Sequence, residues 1–412
     1  MDKMHKRYKR KHVLFVVENN QVPQDTRVWL EAKAIKEQGY NVSVICPNAN
    51  KERVPYKTLD EIHIYQYPFF IEGSSIFSLL IEYLLSFFFI SIYAFNIYRK
   101  EPFHIVHLAN PPDFLILIFL FYKLLGIKII FDHHDLSPEL FLEKFKKKNV
   151  FYKALLFLEK FSYKFADVVI VTNNSFKEIG LKRNNVDVKK VHVVRSGPDI
   201  SVVHPYRKNK NFRKGKKYII GYVGKIDKQD GLSNLVTSVD YLVNQKKFDD
   251  FRVLIIGNGT ELNNIKRMVS QKELDEYFIF YGPEYNKKRL FTLLSSVDIC
   301  IDPQPTSDFQ NRITSLKIME YMALGKPIVQ YRSIEGEYTA KNASFYVENN
   351  DPFAFGDAIL MLLKDKRRRK EMGEYGIRRV RNLLQWEIQK KKLIRVYDEF
   401  FLGENIIKKK HK

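Results

Sequence analysis

"YIIGYVGKIDKQDG", residues 218–231, decides the fold. An apolar run, 218–224, gives way to a polar loop with glycine at each end, and helical spacing follows over 232–245. This is the start of a strand–loop–helix unit. The same pattern has already opened the chain. HVLFVV (12–17) leads through ENNQVPQD into TRVWLEAKAIKEQG, which ends at Gly39. NVSVICP, EIHIYQYP, FHIVHLA, KIIFD, ADVVIVTN and VHVVRSG continue the series, with helical spacing over 113–125, about 149–165 and up to about 183. After residue 218 come FRVLIIGNG, YFIFYGP, VDICIDP and PIVQY. Continuous apolar strands alternating with helices predict parallel sheets covered on both faces. Between the two series lies DISVVHPYRKNKNFRKGKK (199–217), which is basic, poorly periodic and interrupted by Pro205, and reads as an interdomain linker. The expectation is α/β with two Rossmann-like domains in tandem, 1–200 and 216–385, and a final helix at about 387–402 with no strand after it.

The chain has 412 residues, 45% of them hydrophobic, enough for two or three cores. Its 69 Lys and Arg against 47 Asp and Glu leave a net charge of +22. That balance favours anionic partners: nucleic acid, anionic lipid or phosphorylated small molecules. Much of it sits in short runs at 3–11, 144–148, 207–217, 364–370 and 408–412, which read first as solvated loops and ends. Two distant cysteines, Cys46 and Cys300, make neither a disulfide framework nor a metal site; each closes an apolar run and is expected in a core. IFSLLIEYLLSFFFISIYAFNIY (76–98) is long enough to span a bilayer, but Glu82 interrupts it and a strand pattern follows. A core or interfacial helix is the expectation.

Ligands of open α/β sheets bind beyond the carboxyl ends of the strands. Loops 18–25, 109–113, 132–139, 195–199, 224–231, 257–261, 282–286 and 302–315 fall there. GKIDKQDG lacks the G-K-[ST] of a P-loop, and GNGTE (257–261) lacks the full dinucleotide fingerprint. SLKIMEYMALGKPIV (315–329) carries a puzzle. A helix starting at Thr314 or Ser315 has no capping box, yet Arg312 and Lys317 put positive charge at its start. The helix dipole disfavours that by ~0.3–1 kcal/mol each. An anion docked there, phosphate above all, would resolve the conflict, and Glu320, one turn in, could accept hydrogen bonds from a ribose diol. In DHHDLSPE (132–139), His134 and Asp135 sit on a strand's carboxyl rim. Neighbours in an extended segment point to opposite faces, so His133, His134 and Asp135 are not expected to share a metal.

Nine stretches in order carry a resemblance: PQDTRVWLEAKAIKEQGYNVSVICP, HLANPPD, FDHHDLSPE, ADVVIVTNNSFKEI, VVRSGPD, GYVGKIDKQDG, IIGNGTELNNIK, DICIDP and KIMEYMALGKPIVQY. Over nearly its whole length the chain resembles the retaining nucleotide-sugar glycosyltransferases of family 4 (group 1), of GT-B fold, in a bacterial surface-polysaccharide branch. The resemblance implies α-retaining transfer from a UDP- or GDP-linked sugar to a lipid-linked or glycan acceptor. No cofactor or metal would be required. It places the acceptor with Asn110, Asp113 and Asp135 in the N-terminal domain and the donor in the C-terminal domain, and it packs the last helix back on the N-terminal domain. Glu320 is similar to the family's ribose-binding glutamate; the partner glutamate seven residues earlier would fall at Arg312. Lys225 stands where the family has a phosphate-binding arginine, Asp230 where it has a second basic residue, and Lys317 or Arg312 would supply the lost charge. His134 is similar to the histidine that reaches the donor sugar, so His134 and Lys225 are the expected catalytic residues. Pro283 and Glu284, in GPEY, resemble the base-binding loop, and Gly224, Gly257, Gly259, Thr314 and Ser315 complete the donor set. The expected location is cytoplasmic, on the inner face of the cell membrane through an anionic surface. The rival reading, a non-enzymatic nucleic-acid-binding protein, rests on charge alone, and no nucleic-acid module is recognisable. A glucan phosphorylase would need a cofactor lysine and a longer chain.

Overall fold

In a computed structural model, residues 11–48, 55–68, 76–207 and 211–410 are described; the basic run at 3–11 falls outside them but for Lys11, and the run at 408–412 falls outside them from residue 411. The chain forms two compact units, residues 1–195 with 390–412, and residues 196–389.

The first unit is built on an eight-stranded sheet. Its strands are β1 (His12–Val17), β2 (Asn41–Pro47), β3 (Tyr56–Leu59), β4 (Ile62–Tyr67), β5 (Ile105–Ala109), β6 (Lys128–His133), β7 (Val168–Val171) and β8 (Val191–Val193), in the order β3-β4-β2-β1-β5-β6-β7-β8. Every pairing is parallel except β3 with β4. Residues 13–17 of β1 are all fully buried, as the continuous apolar run requires of a central strand covered on both faces. The helices are α1 (Thr26–Glu37), α2 (Ile76–Lys100), α3 (Leu115–Leu124), α4 (Ser137–Phe145), α5 (Val150–Phe165) and α6 (Asn174–Asn184). Asp25 caps α1 by accepting from the Val28 amide, and Asn173 caps α6 through the Phe176 amide.

α2 is two-sided. Glu82, Ser86, Ile90, Ala94 and Ile97 are buried, while Phe77, Leu84, Phe88 and Phe95 are more than half exposed. It is long and apolar enough to cross a membrane by length and composition, with mean hydropathy 1.8, yet one stripe is docked on its own unit and the chain then enters the sheet at β5.

The second unit holds a six-stranded, wholly parallel sheet in the order β11-β10-β9-β12-β13-β14. The strands are β9 (Tyr218–Val223), β10 (Phe251–Ile256), β11 (Phe278–Gly282), β12 (Ile299–Asp302), β13 (Ile328–Tyr331) and β14 (Ser344–Val347). Its helices are α7 (Leu232–Asp240), α8 (Leu262–Gln271), α9 (Lys287–Ser295), α10 (Leu316–Ala323), α11 (Ile334–Ala340), α12 (Pro352–Lys364) and α13 (Lys366–Arg379). Apolar clusters cover both faces of this sheet. The stretch read as a linker is folded onto it where described. Val203 is buried in one of those clusters, the Tyr206 amide donates to Ser295 Oγ, and Arg213 pairs with Asp298. The composition of 199–217 signalled exposure, but a few apolar and charged side chains suffice to dock it. The last helix, α14 (Trp386–Lys410), changes unit along its length, its residues from Lys390 on belonging to the first. There Tyr397 is buried, with its hydroxyl 2.7 Å from His107 Nδ1.

Candidate functional site

In the second unit the carboxyl rim of the sheet is built by backbone interlocking. The Gly224 amide donates to Ile256 O, the Ile226 amide to Asn258 O, and the Gly257 amide to Gly282 O. The loops after β9, β10 and β11 are thereby tied together. A Cβ on Gly257 would lie 1.9 Å from Gly224 O, and one on Gly259 would lie 2.4 Å from Ile226 O. These glycines are required by loop-to-loop contact, which the sequence reading could not separate from ligand contact. Lys225 projects from this seam as an exposed side chain. Asp230 is buried instead, accepting from the Asp227 amide within a short capping turn.

The helix puzzle has a structural answer. α10 begins at Leu316 with Ser315 as its N-cap residue, but among the described residues no side chain caps it, and Ser315 Oγ is buried with no hydrogen-bond partner among them. Lys317, in the first turn, forms an ion pair with Asp302 Oδ1 at 2.9 Å and lies over the Tyr222 ring, 5.2 Å from its centroid. Burial raises the Asp230 carboxyl, and Lys317 pulls it back down. Lys317 is therefore balanced by carboxylates, while the helix-end amides are met by no capping side chain. Glu320, one turn on, is held above the usual carboxylate range by burial, against an opposing pull from Lys287. Arg312 closes a single 3₁₀ turn just before, and Thr314 lies between them, both half-buried. In the loop after β11, Pro283 is followed by Glu284, which accepts from the Asn286 amide and pairs with Arg289 at 3.3 Å; Tyr285 is exposed. That loop and α10 lie on the same rim.

In the first unit Asn110 is the hub. Its Oδ1 accepts from the His134 amide at 2.5 Å and the Asp135 amide at 3.1 Å, while Nδ2 donates to Asp113 Oδ1 and Asp135 O. The four residues expected on the acceptor side and at the catalytic histidine are thus one cluster. Burial pushes the Asp113 carboxyl up to about 7, helped by the charge of Glu159, and burial also raises Asp135.

Beneath His134 lies a network that sequence reasoning missed. Arg27, from α1, donates to Asp132 through Nη2 (2.8 Å) and to the Val194 carbonyl through Nη1 (2.9 Å), and lies 3.1 Å from Glu31. Asp132 Oδ2 is 2.5 Å from His134 Nε2. Arg27 Nε donates to the same His134 Nε2 at 2.9 Å, so this nitrogen is held between Arg27 and Asp132. Glu31 is strongly raised by burial despite Arg27, whereas Asp132 is held well below the usual range by Arg27 and His134 despite its own burial. The signal was present: Arg27 and Glu31 stand four apart in TRVWLE, on one helix face. Glu31, Asp132 and His134 also offer three ligand atoms within 4.8 Å, but Arg27 already supplies the positive charge among them, so the group does not suit a cation. His133 points the other way, buried against the Tyr163 hydroxyl.

Comparison with known proteins fits both units. Residues 205–379 match the model described as glycosyl transferases group 1, and residues 24–202 match glycosyltransferase family 4. A D-inositol 3-phosphate glycosyltransferase of Corynebacterium urealyticum is 27% identical over 56% of this chain and 56% of its own, so the match spans little more than half of that relative. The capsular polysaccharide biosynthesis glycosyltransferase CapM of Staphylococcus aureus is 24% identical, covering 61% of this chain and 67% of its own. A UDP-Gal:alpha-D-GlcNAc-diphosphoundecaprenol alpha-1,3-galactosyltransferase of Escherichia coli is also 24% identical, over 67% and 70%. Among solved structures, sucrose-phosphate synthase from Thermosynechococcus elongatus superposes with a TM-score of 0.77 at 16% identity, over 96% of this chain and all of the other. Anabaena HepE in complex with UDP gives 0.68 at 10% identity, over 94% and all of the other. Those likenesses establish the GT-B fold.

Proposed function

We propose a reaction for a chain that belongs to the group 1 glycosyltransferases, with the family 4 domain at its N-terminus: transfer of a hexosyl or N-acetylhexosaminyl unit from a UDP- or GDP-linked sugar to a lipid-linked or glycan acceptor of surface polysaccharide assembly, with retention at the anomeric carbon. The observation that carries the donor reading is the start of α10. Among the described residues it has no capping side chain and Ser315 Oγ is buried without a partner, while Lys317 lies in the first turn and Glu320 follows one turn later. Helix-end amides suit a diphosphate, and a half-buried carboxylate suits neutral ribose hydroxyls.

The bond from the anomeric carbon to the diphosphate breaks while the acceptor oxygen bonds to that carbon from the same face. The acceptor's proton passes to the departing phosphate. No side-chain nucleophile is called for, so the work lies in stabilising the leaving diphosphate, by Lys225, Lys317 and the α10 amides. Metal is dispensable in this reading because those groups supply the positive potential. The acceptor is bound in the first unit by the Asn110 cluster, with His134 presented by Asp132. The protein works at the cytoplasmic face of the membrane. The exposed apolar stripe of α2 and the exposed lysines of 144–148 support peripheral attachment to an anionic bilayer.

A panel of nucleotide sugars, scored by thermal shift and then by transfer, tests this. A true donor at about 100 times its dissociation constant adds about 2.7 kcal/mol of stability. Salt-dependent retention of DNA with no response to any nucleotide sugar would overturn it.

A further inference from the structure

The C-terminal helix places one hydroxyl at the back of the His134 network. Tyr397 of α14 is 1% exposed, and its hydroxyl lies 2.7 Å from Nδ1 of His107, which is equally buried. His107 stands on β5 and Asp132 on β6. Ala109 pairs with Asp132 across the two strands, so His107 and Asp132 face the same side of the sheet. On that side His107 Nε2 is 3.4 Å from Asp132 Oδ2 and 3.5 Å from Glu31 Oε2, charge contacts rather than aligned hydrogen bonds. Asp132 Oδ2 in turn lies 2.5 Å from His134 Nε2. Side chains from α14, β5 and β6 thus form one line from the last helix to the histidine on the rim.

Chemistry sets the protons along that line. The Arg27 guanidinium grips Asp132 at both oxygens, Oδ1 at 2.8 Å and Oδ2 at 3.2 Å, so Asp132 is a carboxylate and only accepts. A lone pair on His107 Nε2 facing that carboxylate would be repelled, so Nε2 carries the proton. Burial keeps the His107 ring neutral, and a neutral ring has one proton, which leaves Nδ1 bare. Burial also keeps the Tyr397 hydroxyl protonated, so it donates to Nδ1. Tyr397 therefore selects the tautomer of His107 whose N–H faces Asp132. The His107 ring is itself confined, stacked on Phe15 with centroids 4.6 Å apart. The hydroxyl decides where the proton sits, and packing decides where the ring lies.

We infer that Tyr397 is a positioning residue for His134: by fixing the His107 proton, it holds in place the Asp132 oxygen on which His134 rests. Asp132 Oδ2 meets nitrogens of Arg27, His107 and His134. With the His107 lone pair turned toward it instead, the carboxylate is pushed from its place and His134 moves with it. Tyr397 touches no substrate in this account. That His134 serves transfer rests on the transferase reading; the link from Tyr397 to His134 does not. α14 starts among residues of the second unit and enters the first at Lys390, so the histidine expected at the donor sugar is set from a helix to which both units contribute.

The test compares Tyr397→Phe, which removes only the hydroxyl, with Tyr40→Phe, which removes that of the tyrosine packed edge-on against it at 5.9 Å. Nitrogen NMR spectra of the full chain, isotope-labelled at histidine, report the ring protons directly. In the unmodified protein His107 should appear as the Nε2–H tautomer. Tyr397→Phe should move the ring-nitrogen signals of both His107 and His134, and Tyr40→Phe should leave those of His134 in place. With the true donor, Tyr397→Phe should lower kcat by on the order of ten- to a hundredfold, with the donor KM changed by less than about twofold. Added to His134→Ala, it should cost nothing further, because a group that acts through His134 has nothing left to act on. His134 signals unmoved by Tyr397→Phe, or an equal loss of kcat with and without His134, would overturn the inference and leave Tyr397 as a packing residue. His107→Gln carries the same two readings of His134 where Tyr397→Phe does not fold. Unmodified protein that turns over no nucleotide sugar would count against the transferase reading alone, and the spectra would still decide this one.

Discussion

Lys317 Nζ lies 2.9 Å from Asp302 Oδ1, at the junction of helix α10 with the end of strand β12. The pair is largely buried, with side-chain exposures of 18% and 8%. Removing one partner of such a pair strands the other charge, at a cost of about 3–5 kcal/mol. Lys317→Ala is therefore expected to lose stability of that order in urea denaturation. Lys317→Ala with Asp302→Asn together should recover most of it. Additive losses would mean that the two charges do not depend on each other.

Lys225 and Glu320 should fail differently. Charge builds on the diphosphate as its bond to the sugar breaks, so Lys225→Ala should lower turnover by on the order of 10²–10³-fold. The ribose is unchanged through the reaction, so Glu320→Gln should mainly raise KM. Steady-state kinetics with the true donor separates the two. Wild-type constants in Lys225→Ala would place the diphosphate elsewhere.

His134 belongs to the first unit, and the uncapped helix and Glu320 to the second. His134→Ala should lower kcat with little change in the nucleotide dissociation constant, measured by calorimetry beside kinetics. An equal loss in nucleotide binding would make it a ground-state contact.

Glu18, at the end of β1, accepts a hydrogen bond from Ser86 Oγ at 2.6 Å. Burial, with Glu82 nearby, pushes its carboxyl from 4.5 to about 8. The folded protein therefore keeps a proton that the unfolded chain releases above about 4.5. The stability this contributes is complete below that pH and is lost as pH rises toward about 8, by on the order of a few kcal/mol in all. The melting temperature should fall between pH 5 and pH 9, and Glu18→Gln, which keeps an acceptor for Ser86, should flatten that fall. An unchanged profile in the variant would assign the slope to other groups.

Attachment to vesicles of anionic phospholipid should be reversible by salt, since each lysine or arginine near the surface contributes ~1 kcal/mol that screening removes. Phe88→Ser with Phe95→Ser should weaken it further at fixed salt. Retention through high salt and carbonate would favour a helix that spans.

Alternating strands and helices, the restart at Tyr218 and the rim loops were legible in the chain because sheet burial and helix spacing are local periodicities. The missing capping box at Ser315 was legible for the same reason, since neither Thr314 nor Ser315 has Glu or Gln three residues on; that the Ser315 side chain does not cap the helix was decided by the tertiary structure. Gly257 was visible as a turn residue, but its reason was not, since Gly224 O approaches it from another loop. The partners of Lys317, Arg27 and Tyr397 were beyond sequence reasoning: Asp302, Asp132 and His107 are distant along the chain and near only after the sheets form. The sequence by itself determined the two sheets, their covering helices and the chemistry on their rims; the tertiary structure alone decided which charge meets which, because burial makes a side chain's nearest neighbours, and not its neighbours in sequence, set its charge state and its freedom to bind.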